Sequence, residues 1–237
     1  MLDQAFAALE TFDWGDDPKL LQAIDQAVVE TQGDAAAREQ LERRLAAALE
    51  GDTSRDAKDY VCRQLMLIGT ATSVPALAKL LANAETSHMA RFALQQQPVP
   101  EAAAALRDAL GSLSDDQLVG VIGSLGARRD VASVDTLARL LAGHEDKVSA
   151  EVSRAAAKAL GSIGTVEAVE VLQKNSTSRV TAAAVTDALL SAAEALLSDG
   201  DRTAALAVYT ELEATDGPQH IRLAALRGKL MCQGADS

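Results

Sequence analysis

The sequence predicts an all-α protein, a right-handed superhelix of stacked helix pairs with no sheet. The first observation behind this prediction is composition. Hydrophobic residues make up 48% of the 237 residues but aromatic residues only 3%, so the apolar content is mostly alanine and leucine, and there are only five prolines. Such a composition favours helices. The second observation is a repeated pattern of paired amphipathic helices, which is typical of helical repeat proteins.

The repeat is marked by the residues that end one helix of each unit. Four residues stand at corresponding points of the pattern, with spacings of 29, 28 and 38 residues: Gly69, Pro98, Gly126 and Gly164. A further apolar stripe follows each marker, as in SVPALAKLL at 73–81 and SVDTLARLL at 133–141. No single helix pair hides enough apolar surface, so we expect neighbouring pairs to stack.

The segment that ends at Gly164 illustrates one unit. Its small and apolar residues fall on one helical face: Val152, Ala156, Ala159, Leu160 and Ile163. We expect Gly164 to end the helix with a positive φ angle and Thr165 or a nearby residue to cap the next helix.

The first fifty residues are expected to form three acidic helices, at 3–12, 17–31 and 35–50. They carry eleven carboxylates against four basic residues and so hold −7 of the chain's net charge of −12. We interpret this end as a solvated surface, with an acidic docking surface as the alternative.

Residues 51–178 are expected to hold the repeat units themselves. Eight helices are predicted there, at 54–68, 73–82, 86–96, 99–112, 114–125, 131–142, 147–163 and 166–174. VSRAAAKALGSIG at 152–164 resembles the second helix of a HEAT repeat, and SVPALAKLL resembles the first helix. The resemblance is best over residues 54–174. It implies a HEAT-like solenoid in which the second helix of each unit lines a concave face.

Three further strings resemble HEAT-repeat segments of large bacterial proteins of unassigned function: CRQL at 62–65, SHMARFAL at 87–94 and SLGARRD at 124–130. Proteins built of HEAT repeats have many functions, so this resemblance implies a fold rather than an activity.

The C-terminal part, 179–237, departs from this pattern. Three helices are predicted, at 179–198, 203–214 and 218–232, and Pro218 suits the first turn of the last one. Gly200, Ala205 and Tyr209 resemble the turn glycine, small residue and aromatic residue of a tetratricopeptide-like pair. We interpret residues 1–237 as one continuous solenoid with a tetratricopeptide-like end.

The helical periodicity also predicts a core. Its expected members are Leu65, Ile68, Leu77, Leu80, Leu94, Leu106, Leu110, Leu118, Ile122, Leu125, Leu137, Leu141, Leu160, Ile163, Val169, Leu172, Leu189, Leu206 and Leu226.

Sequence motifs for catalysis or metal binding do not emerge. The histidines, His88, His144 and His220, fall in separate units with no metal-ligand spacing. Cys62 and Cys232 form no CxxC pair, and both are expected as free thiols, with Cys62 buried. No serine elbow or phosphate loop is present. We therefore predict no catalytic residue, no cofactor, no metal and no enzymatic activity.

The polar residues that cluster at repeated positions of the sequence are basic. Arg63, Arg91 and Lys158 recur at nearly equal depth in successive second helices, Arg154 lies one turn before Lys158, and two arginines follow another second helix. The predicted partner-binding residues are Arg63, His88, Arg91, Arg128, Arg129 and Arg154. The alternative is that these arginines pair with acidic residues of adjacent layers, such as Asp59, Asp116 and Asp130.

The resulting expectation is a monomeric scaffold or adaptor that binds a protein segment on its concave face. The acidic, aromatic-poor composition argues against nucleic acid, including the interpretation as a HEAT-like DNA glycosylase, and against anionic lipid. An enzyme similar to the HEAT-like bilin lyases, which attach pigments, is the alternative. The absence of a signal-peptide pattern predicts a cytoplasmic location, unless a leader precedes these residues.

Overall fold

The computed structural model describes residues 1–113, 115–143, 148–176, 181–215 and 217–234. Every regular element within these ranges is a helix, so the all-α prediction is confirmed. The predicted helix starts at 114, 147 and 179 lie outside the described residues, and so does His144.

The described chain divides into two compact units, Met1–Val121 and Ile122–Ser237, with the division inside one helix. The first unit holds seven helices and the start of an eighth: α1 Leu2–Leu9, α2 Gln22–Glu30, α3 Ala35–Glu50, α4 Arg55–Ile68, α5 Val74–Lys79, α6 Ser87–Gln96, α7 Pro100–Ala109 and α8 Asp115–Ala127. The second unit continues with α9 Val134–Ala142, α10 Ala150–Ile163, α11 Val166–Lys174, α12 Ala182–Ser198, α13 Arg202–Ala214 and α14 Gln219–Gln233. Short 3-10 turns occur at Pro18–Leu21, Leu80–Ala82 and Val131–Ser133.

In the first unit, the second helices α4 and α6 pack side by side, and α5 packs on α6 and α7. A buried carboxylate fixes the turn between α4 and α5. Glu42 of α3 accepts hydrogen bonds from the backbone N–H groups of Thr70, at 2.6 Å, and Ser73, at 3.0 Å, and from the Thr70 hydroxyl at 2.8 Å. The Ser73 N–H also reaches the Thr70 carbonyl at 3.3 Å, whereas the Thr70 N–H is held by the carboxylate, so Glu42 ties α3 to the turn after α4.

In the second unit, α10 lies at the centre and contacts α9, α11 and α12. Glycines allow α12 to approach α10 closely. A Cβ atom at Gly161 would lie 2.6 Å from the carbonyl oxygen of Ala188, and one at Gly164 would lie 2.4 Å from the Ala195 Cβ. The pair α13–α14 is equally close, because the ring of Tyr209 packs directly over Gly228.

The predicted capping residues behave as expected at Gly164, which has φ +64°, and at Thr165, whose side chain accepts from the Ala168 N–H. Two other markers differ. Helix α6 ends at Gln96, as predicted, but its C-cap is Gln97 rather than the marker Pro98, and α8 runs through Gly126 to Ala127. The close packing of Ala159 explains Gly126, since a Cβ atom on this glycine would lie 2.8 Å from the Ala159 Cα.

The predicted core is confirmed at sixteen of its nineteen positions. Leu80 is only half-buried, because the 3-10 turn that it begins directs Leu81 inward instead. Leu206 is half-buried, since Ala205 and Tyr209 hold the inner face of α13. Leu226 is exposed, because α14 turns Ile221 and Ala225 inward and leaves the face of Leu226 uncovered.

Both cysteines are free, as predicted. Cys62 is only 2% exposed, and burial raises the pKa of its thiol to about 12. This agrees with the expectation of an inert structural thiol.

Candidate protein-interaction site

The second helices carry cations at one repeated position. Arg63 on α4, Arg91 on α6 and Lys158 on α10 each lie six residues before the residue that ends the helix. Equal spacing from the helix end places each of them on the equivalent face of its own helix. The sequence prediction of a recurring basic position is therefore matched by the register of the helices.

Arg63 is the most open member of this set in the first unit, with 63% of its side chain exposed. It pairs with Asp59 at 3.0 Å, one turn earlier on the same helix. The predicted alternative placed such pairs between layers, whereas this pair is local. An exposed pair of this kind contributes little to stability, so its guanidinium can exchange Asp59 for another carboxylate at small cost.

Arg91 lies across the start of α8. A Cβ atom at Gly120 would be 2.8 Å from the Arg91 Nε, so the glycine provides the space that the guanidinium occupies. Burial lowers the pKa of this guanidinium. The Arg91 Nη2 group donates to the Nδ1 atom of His88 at 2.8 Å, which leaves the His88 Nε2 as the donor of that ring.

An open cavity of about 280 Å³ lies beside these two side chains. It is bordered by His88, Arg91 and Gly120 together with Asp116 and Gln117 of α8. The cavity thus combines a guanidinium, an imidazole and one carboxylate at the meeting of α6 and α8. Its polar groups suit a peptide carboxylate or amide.

Two large apolar side chains are exposed on the same second helices. Leu67 of α4 is 61% exposed and Phe92 of α6 is 43% exposed. Phe92 follows Arg91 directly, and Leu67 lies one turn after Arg63. Exposed apolar groups next to arginines are a common composition for a protein-binding surface.

A hydrogen-bond network joins this part of α4 to α2. The Tyr60 hydroxyl donates to the Asp25 carboxylate at 2.8 Å, and the Gln64 amide donates to the same oxygen at 3.0 Å. Burial and the hydrogen bond to Asp25 raise the pKa of Tyr60. The sequence analysis missed this network, because it joins residues 35 and 39 positions apart on different helices.

In the second unit, Arg154 and Lys158 are exposed on α10, one turn apart. Arg128 lies in the turn after α8 and is half-buried. Of these two predicted contacts, Arg128 and Arg154, the second is therefore the more accessible to a partner.

Arg129 has a different role from the one predicted. Its Nε and Nη2 groups donate to the carbonyl of Ile163 at 3.2 and 3.1 Å, and it forms a bidentate ion pair with Asp199, with Nη1 to Oδ1 at 2.9 Å. The hydrogen bonds between the two side chains raise the pKa of Arg129 and lower that of Asp199. Its guanidinium therefore joins the ends of α10 and α12, in line with the internal pairing that the sequence analysis kept as an alternative.

Among the described residues, no group of three histidine, cysteine, aspartate or glutamate side chains is placed to hold a metal ion. None of the described helices combines the length and apolar character needed to cross a bilayer.

Comparison with known proteins supports the repeat pattern. Residues 117–190 match the family model of HEAT repeats. No curated protein matches the chain in sequence. Among solved structures, the chain is similar to human deoxyhypusine hydroxylase in complex with glycerol, at 17% identity and a TM-score of 0.40, covering 81% of this chain and 95% of that one. That similarity is too low to carry a shared activity. The match to the HEAT-repeat family model covers about a third of the chain, and the described residues on both sides of it continue as a series of helices.

Proposed function

We propose that this protein is a non-catalytic interaction scaffold that binds a protein segment on its second helices. The contacts proposed are Arg63, His88 and Arg91 in the first unit and Arg128 and Arg154 in the second. The observation that carries the proposal is the recurrence of cations at one register position, exposed at Arg63 and Lys158 and half-buried at Arg91, beside the exposed apolar groups Leu67 and Phe92. Arg129 is left out because its guanidinium serves the internal bonds described above.

The chemistry of these residues favours an acidic partner with some apolar side chains. Arginine binds carboxylates through two parallel hydrogen bonds, and the open pair between Arg63 and Asp59 leaves room for such an exchange. Nucleic acid is disfavoured, because the chain carries a net charge of −12 and long-range repulsion would oppose a phosphate backbone.

A charge-reversal pair tests the proposal. Arg63→Glu with Arg154→Glu changes two exposed side chains on second helices, one in each unit. The control variant, Arg139→Glu with Lys174→Glu, makes the same change of charge on the first helices α9 and α11, where both side chains are also exposed. Both variants should keep the wild-type circular dichroism spectrum.

Wild-type and control protein are expected to capture the same partners from a lysate of the source cells, and the second-helix variant is expected to lose them. Equal capture by all three proteins would contradict the proposed face. A chromophore or cofactor that copurifies with the chain would overturn the non-catalytic part of the proposal in favour of a pigment-modifying enzyme.

A further inference from the structure

An open groove with a volume of about 460 Å³ lies between the first helices α5 and α7. The two helices pack against each other and both pack on α6, so the groove lies within the first unit. Alanines from both sides make up much of its lining: Ala78, Ala82, Ala104, Ala105 and Ala109. Because these side chains are small, the α5–α7 groove has room for the larger side chains of another helix.

The rest of the lining is largely apolar as well. It includes Pro75, Leu81 and Leu113. The Ser112 hydroxyl also lines the groove, but it already donates to the Ala109 carbonyl at 3.3 Å. An occupant therefore gains most from the α5–α7 groove by burying apolar side chains in it.

The charged groups that the described residues contribute to this lining are two carboxylates, Glu101 and Asp108 of α7. Both are exposed, and within the described ranges neither forms an ion pair. Lys79 of α5 does not line the groove and pairs with Glu50 of α3, and the half-buried Arg107 also lies outside the lining. The charge of the described lining is therefore wholly negative, and the groove favours a cationic occupant.

The spacing of the carboxylates specifies where the positive charges of that occupant should be. Glu101 and Asp108 are seven residues apart in one helix. Two helical turns separate them by about 10 Å along the same side of α7. Two basic residues at the same spacing on a helix in the groove would lie opposite them.

A helix also suits this lining better than an extended chain. The backbone N–H and C=O groups of an extended chain need partners, and alanine side chains supply none. A helix satisfies its own backbone groups and presents its large apolar side chains as a ridge. The apolar lining and its two carboxylates therefore match an amphipathic helix with a basic edge.

We propose that the α5–α7 groove binds the apolar face of a cationic amphipathic helix, whose basic side chains pair with Glu101 and Asp108. The contact goes beyond the proposed function, because it uses the first helices and none of Arg63, Arg91 and Arg154. A contact with two turns of helix is small, so we expect a dissociation constant of roughly 10–500 μM. Such binding is measured by titration rather than by capture from a lysate, so the two proposals are tested separately.

The probe is a labelled helical peptide of about 18 residues, long enough to form a helix in water. It is based on alanine and glutamine, with a row of leucines on one face and two lysines, two turns apart, beside that row. A matched peptide has glutamine in place of both lysines. Fluorescence anisotropy of the label measures binding of each peptide to the whole chain.

Three variants accompany the wild type. The carboxylate variant is Glu101→Gln with Asp108→Asn. Its charge control is Glu167→Gln with Asp135→Asn, which removes one exposed glutamate and one exposed aspartate from the first helices of the second unit. The filled variant is Ala78→Gln with Ala105→Gln, which places longer side chains in the groove. Circular dichroism and thermal unfolding verify that each variant is folded.

The wild type and the charge control are expected to bind the lysine peptide equally. The carboxylate variant should bind it about fivefold to tenfold more weakly, because two exposed ion pairs are lost. The glutamine peptide should bind the wild type and the carboxylate variant with the same, weaker affinity, since it has no cation to pair. The filled variant should bind neither peptide.

Four results would overturn the proposal. The wild type could fail to bind the lysine peptide up to about 1 mM. The charge control could weaken binding as much as the carboxylate variant, which would indicate general attraction to an acidic chain. The glutamine peptide could bind the wild type as tightly as the lysine peptide, which would remove the role of the carboxylates. A folded filled variant could bind like wild type, and if that variant does not fold, the comparison of the two charge variants decides alone.

Discussion

Arg129 connects three parts of the second unit through a single guanidinium. It stands in the turn after α8, bonds the end of α10 at Ile163 and pairs with Asp199 at the end of α12. It also adopts φ +52°, a left-handed conformation that costs a side chain other than glycine about 1 kcal/mol. The bonds offset this cost, which explains why an arginine is found where the backbone favours glycine.

Two substitutions distinguish the stability contributed by the bonds of Arg129 from the cost of its backbone conformation. Arg129→Ala loses the bonds and keeps the unfavourable φ angle, so we expect it to lower the free energy of unfolding by about 1 kcal/mol, mostly through the Ile163 carbonyl. Arg129→Gly loses the same bonds but relieves the backbone, so it should lose less. Urea unfolding measures both. A glycine variant less stable than the alanine variant would contradict this explanation.

The ion pair also predicts a pH dependence. The hydrogen bonds from Arg129 lower the pKa of Asp199 in the folded protein relative to its ordinary value of 3.8. The pair therefore contributes fully above pH 4 or so, and the contribution disappears as the pH falls through the lowered pKa. The stability difference between wild type and Arg129→Gln should shrink on acidification in this range. A difference that stays constant down to about pH 2 would exclude the ion pair as its source.

Cys62 offers a test of burial at the residue scale. With a pKa of about 12, its thiol has almost no thiolate at pH 8, and the packing of α4 against its neighbours covers it. We expect Cys62 to react with a disulfide reagent only when the protein unfolds, whereas Cys232, near the end of α14, reacts in the native state. The Cys232→Ser variant isolates the Cys62 signal. Rapid labelling of that variant in buffer would show that α4 is not packed as described.

Among the elements, glycine has opposite effects at two helical positions. A Cβ atom added at Gly161 of α10 would lie only 2.6 Å from the Ala188 carbonyl oxygen. One added at Gly123 of α8 would face open space. Gly161→Ala should separate α10 from α12 and cost roughly 1–3 kcal/mol. Gly123→Ala should stabilise the protein by about 0.5–1 kcal/mol, because alanine favours a helix.

The same unfolding experiment compares both glycine variants with wild type. If Gly161→Ala were as stable as wild type, the close approach of α10 and α12 would be wrong. If Gly123→Ala were destabilised, a contact on the exposed face of α8 would be required.

At this scale, the sequence predicts the helices well, because amphipathic periodicity and capping residues are local. Gly164 and Thr165 have the predicted roles, and the boundaries of α3 and α11 agree with the prediction. The contacts between layers could not be predicted. Glu42 reaches residues 28 and 31 positions away, and Arg129 reaches Asp199 across 70. Helical periodicity carries no information about such distant pairs.

The same limit applies to the candidate site. The distance along the sequence from the end of each helix identified Arg63 and Arg91. Their exposed and half-buried positions follow from the side of the helix on which that spacing places them. It could not distinguish Arg129, whose partners are fixed by the packing of α10 and α12. Leu226 failed as a core residue for a related reason, since periodicity shows that α14 has apolar residues but not which face its neighbours cover.

At the scale of the whole molecule, the net charge of −12 opposes the attraction that the cations of the second helices exert on an acidic partner. An acidic partner is repelled at long range and attracted close to the exposed arginines. Binding should therefore be selective for a segment that reaches these arginines. At moderate salt, the long-range repulsion is screened first.

A salt titration follows from this balance. We expect partner capture to increase slightly from very low to moderate ionic strength and to fall at high salt, when the contacts with Arg63 and Arg154 are themselves screened. The Arg63→Glu, Arg154→Glu variant should lack this maximum. Capture that is independent of salt in both proteins would indicate an apolar contact instead.

Hydrogen exchange of the protein with and without its captured partner tests the central claim most directly. The account predicts that the partner slows exchange in the second helices α4, α6 and α10 and leaves the first helices α5, α7, α9 and α11 unchanged. Slowed exchange confined to the first helices, or no change in either set, would contradict the proposed face.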